Sequence, residues 1–462
     1  MNGRWMMRGV AGFGRLLLWV MPLIWLLLLP LMSLVALMPL AALAGEPTSE
    51  PLLRLETGMH TAPIRRIATD AAGRWAVTAS HDKTARVWDL AAPPRGDQAA
   101  GDRAAAPAVV LRPPQDAGDE GKLYAVALSP DGTTVALGGW TGGDWDGKAT
   151  IYLFDHASGR LLRRIGGLPN VILHLAWSPD GRWLAASLGG GNGVRVFDAT
   201  SGDERGSDSD YQGNSNSAHF RADSRRLLTT ALDGKLRLYA LGADRWRLLR
   251  SAAATAGKDP FAARFSPDGR RIALGFDDST RVQVVDGETL AEVAQPTTQG
   301  VANGDLSKVA WSADGRVLFA AGRWNVQGKS PLRRWRTADW SPLADLPLAD
   351  NTIMDLAPLP DGRVLFAAAD PAWGIVSADG GVELRREPAI ADLRDQEGVF
   401  ALSPDARRVR FGYRQWGGDP RVFDLGQREW VAEGGGEGEL QADRRVDARA
   451  DKKASGKPTA RS

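Results

Sequence analysis

Residues 124–137, "YAVALSPDGTTVAL", decide the fold, because they read as two short β-strands joined by a tight turn. Tyr124 to Leu128 and Thr134 to Leu137 are apolar runs of strand length. Between them Pro130 fixes φ at the first turn position, Asp131 can bond its own backbone, and Gly132 accepts the positive φ that closes a hairpin. The turn returns as Ser178-Pro179-Asp180-Gly181, Ser266-Pro267-Asp268-Gly269 and Ser312-Ala313-Asp314-Gly315, with degenerate copies ending at Gly73, Ser224, Gly362 and Ala406. The last residues of successive turns are 59, 49, 43, 45, 46, 47 and 44 positions apart, so the chain carries eight copies of one unit.

Each unit continues with a third run that ends on an aromatic-Asp pair or a relative of it: Trp88-Asp89, Phe154-Asp155, Phe197-Asp198, Val285-Asp286 and Phe423-Asp424. A fourth run, such as Leu161-Leu162-Arg163-Arg164-Ile165, follows a loop. Four short strands in every 45 or so residues is the pattern of a propeller blade. The expectation is therefore an all-β protein, a single β-propeller of four-stranded antiparallel blades over 45–432, with eight blades favoured and seven with an irregular closure as the alternative. A ring has to hide the edges of its first and last sheets. The strand-like segments 52–55 and 428–431 compete for that place in the sequence.

The unit at 60–90, "HTAPIRRIATDAAGRWAVTASHDKTARVWDL", resembles the WD-repeat β-propeller family, and weaker copies extend the resemblance over roughly 51 to 432. In that family a histidine before the first strand, a Ser or Thr on the second, an Asp in the next turn and the Trp of the third form a buried hydrogen-bonded set. The resemblance puts His60, Thr78, Asp82 and Trp88 in those roles. Tyr239-Ala240 and Trp335-Arg336 lack the aspartate, and most units lack the histidine. Some bacterial members carry a caspase-like peptidase domain downstream. This chain has no cysteine to act as that nucleophile, so the comparison implies a stand-alone sensing or docking half.

The first 44 residues differ in kind. Arg4, Arg8 and Arg15 precede the uncharged apolar run 16–43, which closes on Ala42-Leu43-Ala44, a small-x-small cleavage pattern. This reads as a bacterial secretory signal cut after Ala44. The run exceeds the roughly 7–15 residues of a signal core, so the alternative is an uncleaved inner-membrane anchor, although Pro22, Pro30 and Pro39 would strain a continuous helix. Without cysteine an exported protein must be held by its core, which suits a periplasm or envelope location. The stretch between Ala91 and Lys122 reads as a mobile loop around a strand at 108–111, and 433–462 as a disordered tail. With 57 basic against 55 acidic residues scattered along the chain, charge points to no nucleic-acid partner.

Catalytic and metal patterns are not legible. His60, His81, His156, His174 and His219 do not fall in a zinc-ligand spacing, and no Gly-x-Ser-x-Gly elbow occurs. "GGGNG" at 189–193 lies between strands, where a phosphate loop would need a following helix, and "DWDG" at 144–147 lacks the further oxygens of a calcium loop. No cofactor or metal is expected.

In a propeller the first strand of each blade lines the axis, and the turns between second and third strands share one face with the mouth of the channel. That topology gathers Trp140, Asp144, Trp145 and Asp146 of unit two with Asp277 and Asp278, Arg323 and Trp324, Asp370 and Trp373, and Arg414 and Trp416. The mouth positions of the first strands are Arg66, Ala125, His174, Ser217, Ala262, Lys308, Asp355 and Val399. Tryptophan and arginine are enriched in binding hot spots. The expectation is a monomeric, non-enzymatic scaffold that binds an unidentified protein or peptide on this face. The alternatives are a lactonase-like or sugar-processing hydrolase using His174, Asp355, Lys308 and Arg66 at the mouth, and recognition of a sugar or peptidoglycan fragment by stacked tryptophans.

Overall fold

The computed structural model describes residues 58–91, 107–116, 118–242, 246–377, 379–388, 400–411 and 421–431. The leader at 1–44, the segment 52–55, Val399, Arg414, Trp416 and the tail at 433–462 lie outside them. Among the described residues no helix is long and apolar enough to cross a membrane.

Every repeat folds as four consecutive antiparallel strands in simple order. The turn chemistry works locally and repeatedly: Ser129 Oγ donates to Asp131 Oδ1 at 2.5 Å and accepts from Thr134 N at 2.9 Å. The same bonds recur at Ser178, Ser266, Ser312 and Ser403. The closing residue is left-handed in all eight copies, including the degenerate Ser224 at φ 59° and Ala406 at φ 56°. The aspartate after the third strand has its own task, accepting backbone N–H groups of the next turn, as Asp198 does from Thr200 and Ser201 at 3.0 Å.

Seven of these sheets form the ring, and this corrects the favoured count of eight. The first strands Ile64–Thr69, Leu123–Leu128, Ile172–Trp177, Ser215–Phe220, Pro260–Phe265, Lys308–Trp311 and Ile353–Pro358 pack each on the next around a common axis, and the seventh packs directly on the first. At that seam Ile67 N donates to Asp355 Oδ2 at 3.2 Å, and the Trp88 and Trp373 rings lie 4.9 Å apart. Met59, Ile64 and Ile67 share one buried cluster with Leu359, Leu365 and Ile375. The eighth repeat folds as a sheet of short strands, Phe400–Leu402, Arg408–Phe411, Arg421–Asp424 and Glu429–Val431, that does not stand between blades 1 and 7. Repeat number and blade number part here because blade 7 packs directly on blade 1, sharing one buried cluster with it.

Closure does not use a shared strand among the described residues. Blade 7 completes itself with Val382–Arg386, and 429–431 pairs within the eighth sheet. Blade 1 is completed by Val109–Leu111, on the far side of the insertion after Ala91. The ring is held by face-to-face packing of neighbouring blades, with one hydrophobic cluster per interface, such as Leu123, Val126 and Leu137 against Val77, Val87 and Leu111.

Two glycines separate local strain from the seam. Gly181 has φ 74° with open space where a Cβ would go, whereas Gly73 has φ 67° and its Cβ would lie 2.7 Å from Pro360 Cδ in blade 7. Gly181→Ala should cost roughly 1 kcal/mol, from backbone conformation alone. Gly73→Ala should cost measurably more in urea unfolding. Equal losses would contradict a seam between blades 1 and 7.

Candidate functional site

The hairpin connection of blade 2 is a built platform. The single helical turn Gly143–Asp146 is entered through Gly142, whose φ of 91° leaves no room for a Cβ, which would meet Thr150 Oγ1 at 2.7 Å. Buried Glu120 accepts from Gly142 N at 2.6 Å and Asp144 N at 3.2 Å, and burial raises its carboxyl above the ordinary range despite these bonds. Trp145 is buried and donates through Nε1 to Tyr152 OH at 3.2 Å, fastening the turn to the blade. Trp140 is the opposite case: its ring is 43% exposed while its backbone is fixed by Trp140 N to Lys122 O at 3.0 Å and Gly121 N to Trp140 O at 2.6 Å. Asp144 and Asp146 on the same connection are exposed, with Asp146 Oδ2 accepting from Thr150 Oγ1 at 3.1 Å.

The other tryptophans of this face among the described residues do not present themselves to a partner. Trp145, Trp324 and Trp373 are 3%, 2% and 2% exposed. Trp324 lies under the Arg333 guanidinium at 4.9 Å, and Trp373 packs on Trp88 across the seam. The expectation of a row of exposed anchors is thus corrected: bulky rings in these turns fill the gaps between blades that diverge outward from the axis. Among the charges, Arg323 bridges Asp305 at 2.5 Å and Asp277 at 3.5 Å, and Asp278 accepts from Lys258 N and Asp259 N. Asp370 accepts from Asp350 N at 2.8 Å, and burial raises its carboxyl.

At the mouth, Arg66, His174, Lys308 and Asp355 are all buried. A one-residue irregularity in the pairing precedes the mouth position in blades 1, 2, 3, 4 and 7, between Ile64 and Arg66, Leu123 and Ala125, Ile172 and His174, Ser215 and Ser217, and Ile353 and Asp355. Such bulges re-aim side chains. Here they deliver polar groups to the unpaired inner edges of the first strands. Asp355 accepts from Ile67 N, His174 Nδ1 from Ala218 N at 3.4 Å, and His219 Nδ1 from Phe265 N at 3.2 Å. Arg66 starts in blade 1 and donates to Leu173 O at 3.4 Å and Asn216 O at 3.3 Å in blades 3 and 4, so it spans the axis. Arg264 donates to Ser217 Oγ at 3.1 Å and lies 3.8 Å from Asp355. Of the four groups considered for hydrolysis, Arg66, His174 and Asp355 are thus engaged with strand edges, while Lys308 Nζ donates to Ser307 Oγ at 3.1 Å.

The set His60, Thr78, Asp82 and Trp88 is connected end to end. Trp88 Nε1 donates to Thr78 Oγ1 at 2.9 Å, Thr78 Oγ1 meets His60 Nε2 at 2.7 Å, and His60 Nδ1 meets Asp82 Oδ2 at 2.9 Å. A carboxylate can only accept, so His60 carries its proton on Nδ1 toward Asp82. Burial acts to raise the Asp82 carboxyl, but the attraction and hydrogen bond of His60, with Thr84 and Arg86, hold it at about 2. Blade 4 rebuilds this set with other residues, which the sequence reading missed. Tyr211 OH meets Thr229 Oγ1 at 2.6 Å and Tyr239 OH at 2.9 Å, with Asp233 on Arg237 at 2.5 Å. The signal was spacing: Tyr211, Thr229, Asp233 and Tyr239 repeat the intervals of His60, Thr78, Asp82 and Trp88.

Together the strand pairing and the closed ring of first strands define a seven-bladed β-propeller of four-stranded antiparallel blades. The sequence model of the family described as WD domain, G-beta repeat matches residues 52–89 and 159–198. The chain is also similar to the Protein LST8 homolog of Drosophila melanogaster, 29% identical over 180 residues, covering 37% of this chain and 49% of that protein. It spans about half the length of the curated relative it matches.

Two imidazoles at the axis make stability depend on pH. Burial, with repulsion from Arg264, pushes His219 down to about 3, and burial with Arg66 and Arg264 pushes His174 well below its ordinary value. The unfolded chain takes up these protons below about pH 6.5 and the folded chain does not, so stability falls as pH drops from there. Asp82 adds its own loss only between about pH 4 and 2. The melting temperature should decline between pH 7 and 4.5, and His219→Gln should flatten part of the decline. A flat profile in the parent protein would show that the imidazoles are not kept neutral.

Proposed function

We propose that this protein is a protein- or peptide-binding scaffold, acting through the turn face of blade 2 around Trp140. One observation carries the reading: a large aromatic ring is held out to solvent on a backbone locked by hydrogen bonds at both its N–H and its C=O. An anchor whose position is fixed before binding loses little conformational freedom on association. The exposed Asp144 and Asp146 of the same connection supply polar groups to this face. The similarity of two repeats to the WD family supports an interaction role for the propeller.

We further place the protein in the bacterial periplasm or envelope, on the strength of the arginine-flanked apolar stretch at 1–44 and the small residues that close it. N-terminal sequencing of the cell-produced protein should begin at Gly45. Recovery of the intact N-terminus in a soluble cytoplasmic fraction would reject that placement.

The binding face is tested by contrast between two tryptophans. Trp140→Ala should abolish capture of partner proteins from an envelope extract, while changing unfolding free energy by no more than about 0.5 kcal/mol. Trp145→Ala should instead cost about 3–5 kcal/mol by opening a cavity under the turn. Retention of every captured partner by the Trp140 variant would defeat the reading.

A further inference from the structure

Three cations and one carboxylate meet at the propeller axis, and their partners are unequally shared. Arg264 has Asp355 at 3.8 Å and Ser217 Oγ at 3.1 Å. Lys308 is 4% exposed, and its ammonium, with three N–H donors, has one hydrogen-bond acceptor, Ser307 Oγ at 3.1 Å. Arg66 is 7% exposed and uses Nη2 on two carbonyls, while its buried Nε has no partner. Both charges lie over one ring: the Lys308 Nζ is 3.4 Å and the Arg66 Cζ 5.7 Å from the centroid of Phe261. Two further acids act on Lys308, and both are engaged elsewhere: Asp305 with Arg323 Nε at 2.5 Å and Ser307 N at 3.0 Å, and Asp277 with Arg323 Nη2 at 3.5 Å.

Two like charges brought together over an apolar ring, out of water and with donors to spare, are costly to hold without an anion. Two cations that act on each other beside one ring suit an oxyanion with several acceptor oxygens, because a guanidinium fork and an ammonium can donate to different oxygens of one tetrahedral group. Arg66 and Lys308 together can balance a charge of about two on that group, as phosphate carries near neutral pH. Burial, with repulsion from Arg66, pushes the Lys308 amine well below its ordinary value, so the arriving anion would favour its protonation. Both residues sit where first strands begin, at the mouth of the axis, so the group would be taken from the face that carries Trp140.

We propose that Arg66 and Lys308, above Phe261, form a binding site for a phosphate dianion, free or carried on a small phosphomonoester. The site is separate from the Trp140 platform, and neither reading depends on the other.

The test is a titration of the full-length protein with inorganic phosphate and, in parallel, glycerol phosphate, followed by calorimetry and melting temperature, with acetate as the monoanion control. Saturable binding and a rise in melting temperature are expected with phosphate and not with acetate. Lys308→Met should weaken phosphate binding at least about tenfold. Without phosphate the same variant should melt at or above the parent temperature, because it removes a buried amine with few partners whose charged form is ill compensated. Tighter binding of glycerol phosphate than of inorganic phosphate would assign a carried phosphate, and equal binding the free ion. No saturable binding of either probe, or equal binding by the Lys308→Met protein, overturns the proposal. Lys308→Gln serves as the second variant should Lys308→Met fold poorly, and the same outcomes apply to it.

Discussion

The rest of the structure depends on the contact of first strands around the axis. Each of these strands is the inner edge of its sheet, with N–H and C=O groups that no fifth strand satisfies. Buried backbone groups of that kind must find partners or cost about as much as a lost hydrogen bond. The ring answers with side chains from the opposite and adjoining blades: carboxylate and imidazole acceptors for Ile67, Ala218 and Phe265, and the Arg66 guanidinium for two carbonyls. Polar residues at the centre of the propeller are therefore first of all the means by which seven open sheets tolerate facing one another. The same requirement concentrates charge where water is scarce, and from that concentration the anion site follows.

Outward from the axis the constraint changes from hydrogen bonding to volume. Radial blades diverge, and the gaps between them are filled by the largest side chains the turns can supply. Trp373 meets Trp88 at one interface, while Trp324 and Trp335 lie in the core between blades 5 and 6. A tryptophan in a connecting turn is thus by default a wedge. Trp140 differs because Trp145, five residues on, already fills the space beneath the turn and bonds Tyr152. With that position occupied, the first ring is left on the surface.

The paired networks of blades 1 and 4 illustrate how one geometry tolerates different chemistry. A histidine with a tryptophan, or a tyrosine with a tyrosine, spans the same distance to a threonine on the second strand. In both blades the turn aspartate is kept ionised by a neighbouring donor, His60 in one and Arg237 in the other. In blade 4, burial also raises the Tyr211 phenol to about 12, so the two hydroxyls stay protonated and can pass a donor along the chain to Asp208.

The sequence by itself determined everything with a short range. Strand lengths, the Ser-Pro-Asp-Gly turns with their left-handed closing residues, and the order of four strands per unit follow from φ preferences and side-chain-to-backbone bonds within six residues of each other. The bonded set in blade 1 was legible through the resemblance of its unit to the WD-repeat family, because His60, Thr78, Asp82 and Trp88 keep that family's residue types. Its blade 4 counterpart was hidden because the residue types changed while the intervals did not. Only tertiary structure decided the blade count, since repeat eight is as well formed in sequence as repeat seven, and closure is set by whether Ile67 and Trp88 find Asp355 and Trp373. Tertiary structure also decided which tryptophans face solvent and which charges crowd the axis. Exposure and charge density are properties of surfaces brought together from distant parts of the chain, and no local pattern encodes them.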